Sequence, residues 1–144
     1  MAFRFETLLK LRKNVEDLVK RDFAVANGHL LGQQKRLEFM HEVENKSKKE
    51  LVQRNRETID ISTMFIYNNF FDGIQIQEKL QEKIIGEISP KVEKKRGALG
   101  EAMRKRKTLE ILKERERLAR QKKHAKRETV FFDEVGAIQW QRRR

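Results

Sequence analysis

Apolar side chains recur at steps of three and four over most of this chain, and Pro90 is the one proline available to interrupt them. That spacing lines one side of a helix and leaves the rest to water. The clearest stretch runs Val19, Phe23, Ala26, Leu30, Gln33, Leu37, Met40, Glu44, Ser47, Leu51. Its steps alternate four and three without a break, the heptad repeat of a coiled coil. Upstream, Leu8, Leu11, Val15 and Leu18 follow a different frame. The steps Leu11–Val15–Val19–Phe23 would join the two frames by a stutter, which locally unwinds a supercoil. The spacing predicts one helix from about residue 5 to about residue 57.

The segment Thr58-Ile59-Asp60-Ile61-Ser62-Thr63 breaks the pattern, being β-branched and polar. Asp60, Ser62 and Thr63 are candidate N-caps for a following helix. The second run reads Ile66, Phe70, Gly73, Gln77, Leu80, Ile84, Ile88, Val92, Lys95, Leu99, Ala102, Arg106, Leu109. It carries a stutter at Ile84–Ile88–Val92, with Pro90 inside it. An interior proline costs about 3 kcal/mol, so a kink is expected near Glu87. The second helix is predicted over about residues 63–130, followed by a basic tail to residue 144.

The expected fold is all-α: a single long two-helix antiparallel coiled-coil hairpin over residues 1–144, with its turn at about residues 58–63. Facing residue numbers then add to about 121, which pairs Leu51 with Phe70, Leu37 with Ile84, Phe23 with Leu99 and Leu8 with Leu112. A rival turn is the Asp72-Gly73 dipeptide. Composition agrees with a narrow buried stripe, since 39% of residues are charged and 38% hydrophobic. An average domain holds roughly 25% charged and ~45–50% apolar residues.

The net charge of +12 is unevenly spread. Residues 91–144 hold 19 Lys and Arg against 8 Asp and Glu, a net +11, whereas residues 1–90 are nearly balanced. The basic run starts at Arg104-Lys105-Arg106-Lys107 and continues through Arg117, Arg120, Lys122 and Lys123. Such a field favours an acidic protein surface, an anionic membrane or nucleic acid. Interleaved Glu110, Glu114 and Glu116 temper it by pairing along the helix. No aromatic residue lies between residues 72 and 130 to stack on bases, which weighs against single-strand binding.

Motifs for chemistry are missing. The chain lacks cysteine and any phosphate-binding G-x-x-x-x-G-K-[ST] loop. His29, His41 and His124 form no metal-type pair and read as residues of a solvated helix face. No catalytic residue, metal or cofactor is therefore expected. No stretch approaches the ~18–20 apolar residues of a membrane span, so a cytoplasmic protein is expected. One apolar feature stands apart. Phe65, Tyr67, Phe70 and Phe71, with Ile66 and Ile74, wrap most of the way round one helix, so a single seam cannot bury them all. They form either a plug at the hairpin tip or a partner site.

Three stretches carry a resemblance to one protein family. Phe3-Arg4-Phe5-Glu6-Thr7-Leu8-Leu9-Lys10-Leu11-Arg12 is similar to the family's aromatic-rich opening into a Leu-x-x-Arg helix. Tyr67-Asn68-Asn69-Phe70-Phe71-Asp72-Gly73-Ile74 resembles its Tyr-x-x-Phe stretch after the turn. Arg127-Glu128-Thr129-Val130-Phe131-Phe132-Asp133-Glu134-Val135 resembles its C-terminal apolar-Asp-Glu-apolar box, and Gly136 departs from it. The family so resembled is the FliJ family of flagellar export proteins, and the resemblance implies a stalk-like coiled coil without enzymatic activity. Its implied partners are the hexameric flagellar export ATPase, the membrane protein of the export gate, and export chaperones. Phe70, Phe71 and Ile74 would meet the gate, and the basic end would enter the ATPase ring through Arg117, Arg120, Lys122 and Lys123. The implied place is the cytoplasmic side of the inner membrane at the flagellar base, with indirect membrane association, in a type III secretion system serving motility and chemotaxis. The competing reading is a basic coiled coil that binds nucleic acid or ribosomes.

Overall fold

The computed structural model describes residues 3–58 and 60–144. Two helices, α1 over Glu6–Asn55 and α2 over Ile61–Arg142, pack against each other as an all-α hairpin, and no strand occurs among the described residues. The connection between them falls where the β-branched segment begins, although Ile59 lies outside the described residues. Asp60 stands at the N-cap position of α2, and its carbonyl accepts the Met64 N–H at 3.2 Å. A tight turn from Glu57 N–H to Arg54 C=O closes α1. Asp72-Gly73 is no turn, because both residues lie inside α2.

Packing divides the chain into two compact units, Leu18–Leu99 and Met1–Asp17 with Gly100–Arg144. In the Leu18–Leu99 unit the helices run antiparallel. Lys95 Nζ meets Asp22 Oδ1 at 2.9 Å, Gln81 meets Gln33, and His41 meets Glu78. The buried side of α1 here is Val19, Phe23, Ala26, Leu30, Gln33, Leu37, Met40, Glu44, Ser47 and Leu51, the heptad run predicted above. On α2 the buried side is Tyr67, Phe71, Ile74, Glu78, Gln81, Ile85, Ile88, Val92, Lys95 and Leu99. These steps alternate four and three throughout, so the stutter expected at Ile84–Ile88–Val92 is absent. The predicted frame over residues 66–84 is displaced by one residue, about 100° of rotation round the helix. The cause is polar: the seam passes through Glu78 and Gln81, while the apolar Leu80 and Ile84 flank it in solvent.

The other unit repeats the lesson. Leu11 and Val15 were expected on the seam of α1, yet both are exposed, as is Leu18 at the start of the Leu18–Leu99 unit. The seam instead continues as Leu9, Arg12 and Glu16, keeping the heptad phase of the residues downstream, so this stutter is absent too. Glu16 accepts a hydrogen bond from Arg106, and Lys113 Nζ lies 2.9 Å from Glu6 Oε2. Leu9 is 1% exposed and Val92, in the Leu18–Leu99 unit, 0%. Full burial of such a side chain contributes about 1.5–3 kcal/mol.

Pro90 lies inside α2, which continues through it. Pro90 and Gly86 both face solvent, where water can take up the Gly86 carbonyl that the missing N–H leaves free. The helix also runs to Arg142, beyond the end expected at about residue 130. Gly136 has no positive φ and costs only about 1 kcal/mol relative to alanine, while Glu134, Ala137, Gln139 and Gln141 around it are good helix formers.

Candidate functional site

The aromatic stretch of α2 splits between seam and surface. Phe71 and Ile74 are half-buried on the seam, whereas Phe70 is 40% exposed. Phe71 is a hinge between these environments, its ring centroid 6.2 Å from Tyr67 and 5.7 Å from Phe70. Arg54 covers the Tyr67 ring from α1 at 5.8 Å. Phe70 heads a second stripe at helical spacing, with Ile66 one turn before it and Leu80 and Ile84 further along, all exposed. Thus the part of the predicted seam over residues 66–84 faces the surface, and its apolar members form an exposed ribbon. Of the cluster, Tyr67, Phe71 and Ile74 are half-buried on the seam, and Phe65, Ile66 and Phe70 are exposed.

The basic end lies on a stretch of α2 that buries little. From Arg117 to Arg144 every residue but Val135 is exposed. Arg117 is already engaged, donating from Nε to Glu114 Oε2 at 3.0 Å and from Nη2 to Glu114 Oε1 at 2.6 Å. This bidentate hydrogen bond holds the Glu114 carboxyl below its usual pKa and raises that of Arg117. Arg120 donates to Glu116 at 3.3 Å. Lys122 and Lys123 make no ion pair among the described residues. The four predicted cations are therefore not equivalent: two arginines sit in intrahelical pairs and two lysines present full charges to solvent. The same stretch exposes Phe131, Phe132, Ile138 and Trp140, with Arg144 over the Trp140 ring at 4.2 Å.

A third constellation escaped the sequence reading. His41 and Glu44 are three apart on α1, and Glu78 faces them from α2. His41 Nδ1 lies 3.3 Å from Glu78 Oε1 but donates no hydrogen bond to it, and Glu78 Oε1 is buried without a hydrogen-bond partner. Lys48 Nζ holds Glu44 Oε1 at 3.0 Å. A hydrogen bond from Glu78, and then Lys48, keeps the Glu44 carboxyl below the usual range. The same hydrogen bond, with burial, pushes Glu78 above it. Two carboxyls so close each resist the ionisation of the other. Position 44 was legible as a seam position; its partner was not, because Glu78 lay outside the expected frame.

No helix among the described residues is long and apolar enough to cross a membrane. A model of the family described as the flagellar FliJ protein matches residues 1–144. No curated protein and no solved structure gives a significant match.

Proposed function

The chain belongs to the FliJ family of flagellar export components, and from that premise we propose that it couples the export ATPase to the export gate without chemistry of its own. The observation that carries this reading is the contrast between the exposed apolar ribbon around Phe70 and the unpaired Lys122 and Lys123 of the lone helix, the exposed stretch of α2 beyond Arg120. Each surface suits a different partner. The ribbon suits an apolar groove of the export gate, with Phe71 and Ile74 backing Phe70 from the seam. The lone helix suits an acidic mouth of the hexameric ATPase ring, where Lys122 and Lys123 supply most of the attraction and Arg117 and Arg120 exchange partners on docking. Export chaperones are further partners, and the protein works at the cytoplasmic side of the inner membrane at the flagellar base, held there by protein contacts.

The test is ATP hydrolysis by the purified export ATPase across a salt series. Wild-type chain is expected to stimulate it, less so as salt rises, because exposed charges are screened beyond about 8 Å at physiological ionic strength. Replacing Arg117, Arg120, Lys122 and Lys123 with Glu is expected to abolish stimulation at unchanged helicity. Equal stimulation by both proteins at every salt concentration overturns the assignment. Salt-dependent binding of duplex DNA by wild type, with no effect on the ATPase, would instead favour a polyanion-binding coiled coil.

A further inference from the structure

We propose that His41, Glu44 and Glu78 form a binding site for one zinc-class divalent cation that clamps α1 to α2. The three side chains offer one imidazole nitrogen and two carboxylate oxygens, all within 4.8 Å of one another. One neutral imidazole with two carboxylates suits a borderline first-row cation better than magnesium or calcium, which prefer all-oxygen shells. Zinc bound at about 2.0–2.2 Å in a tetrahedron sets its ligand atoms roughly 3.4 Å apart. His41 Nδ1 and Glu78 Oε1 stand 3.3 Å apart. Glu44 closes the triangle by a small side-chain movement, and water takes the fourth position.

Acidic clusters are common without metals, so the state of Glu78 decides the case. The residue is 9% exposed, and its Oε1 points at the cluster with no hydrogen-bond partner. A buried carboxylate oxygen left unpaired is costly, and a cation between the two helices would satisfy it. Lys48, which now pairs with Glu44, is half-exposed on a flexible stem and can swing into solvent. The ligands come from both helices, so the ion would bind the packed hairpin and not the separated helices, and would stabilise the former by mass action. Glu78 lies one turn beyond Ile74, so the clamp would also stiffen the helix that carries the apolar ribbon.

The experiment titrates zinc chloride into metal-free full-length chain by calorimetry, with cobalt(II) absorption as a probe of four-coordinate nitrogen and oxygen ligation. One equivalent per chain is expected, with a zinc-dependent rise in thermal midpoint. Glu78→Gln and His41→Ala should each weaken binding at least about tenfold and remove the rise. His41 is exposed, so its variant keeps the fold and covers the case in which Glu78→Gln does not. His124 stands beside Glu128 on the lone helix, 3.4 Å away, and serves as the control. His124→Ala should bind as wild type does. Absence of saturable binding at micromolar zinc overturns the proposal. So does undiminished binding by His41→Ala, or loss of binding in His124→Ala.

Discussion

The seam of the Leu18–Leu99 unit and the stretch of α2 beyond Arg120 are both helical, but for different reasons. In the first, each turn buries something: Val92 and Leu30 are apolar, Gln81 and Glu78 polar. In the second, nothing but Val135 is even half-buried. There the helix rests on backbone propensity and on intrahelical contacts such as Glu128 with His124. The difference teaches that packing fixes where α1 and α2 meet, whereas the lone stretch keeps its apolar and basic side chains free. Isolated helices are marginal, so that stretch draws its order from continuity with the packed turns before it.

The comparison breaks most sharply with one acidic substitution in each region. Val92→Asp buries an unpaired charge at a fully buried seam position and is expected to destabilise by about 3–5 kcal/mol. Phe132→Asp changes an exposed side chain on the lone stretch and should leave the thermal midpoint unmoved. Thermal unfolding followed by circular dichroism measures both. Comparable losses in the two variants would mean that the lone stretch packs against something in solution.

A finer prediction concerns the polar layer. Gln81 is 3% exposed, and its Nε2 donates to the Gln33 carbonyl at 3.0 Å and to Gln33 Oε1 at 2.6 Å. Such a layer in a coiled coil fixes register at a cost in stability. Gln81→Leu is expected to change stability by less than about 1.5 kcal/mol while admitting slipped registers. Spin labels on the exposed positions Gln34 and Lys79 would report this, with one distance in wild type and several in the variant. A single unchanged distance would show that the apolar seam alone sets the pairing.

The legible part of this fold was its arithmetic. The frame of α1 from Val19 to Leu51 was readable because most of its seam is apolar, and Gln33, Glu44 and Ser47 fell in phase. The frames around Arg12, Glu16, Glu78 and Gln81 were missed because polar residues hold seam positions while Leu11, Leu80 and Ile84 lie outside. Demanding apolar residues created two stutters that the molecule does not have. Heptad phase carried through the polar positions would have found the seam, and with it the pairing of Glu16 with Arg106. The aromatic cluster was legible as too wide for one seam, but only packing could show Phe70 outside and Phe71 with Ile74 on the seam. The pairing of His41 with Glu78 crosses between helices, so no local spacing could reveal it.

The smallest expected effect separates two surface ion pairs. Glu6 and Glu114 both have carboxyls held below the usual value of 4.5, the first chiefly by a hydrogen bond from Lys113 and the second by one from Arg117. A depressed carboxyl pKa contributes stability above the unfolded value, and that stability is lost as pH falls through the folded value. Acid should therefore weaken both pairs somewhat below pH 4.5, with opposite structural consequences. Glu6 and Lys113 tie the start of α1 to α2, so protonating Glu6 loosens the N-terminal turn around Leu9. Glu114 and Arg117 are three apart on one helix, so their loss detaches nothing and frees a guanidinium. Both pairs are exposed, and exposed pairs contribute little, so global stability should hardly register either. Hydrogen exchange at the Leu9 amide is the sensitive measure. Glu6→Gln should speed that exchange at neutral pH and flatten its further rise in acid, whereas Glu114→Gln should leave it unchanged. Equal exchange in all three proteins would mean that the buried Leu9 side chain alone holds the turn, leaving the Lys113 bridge no part in it.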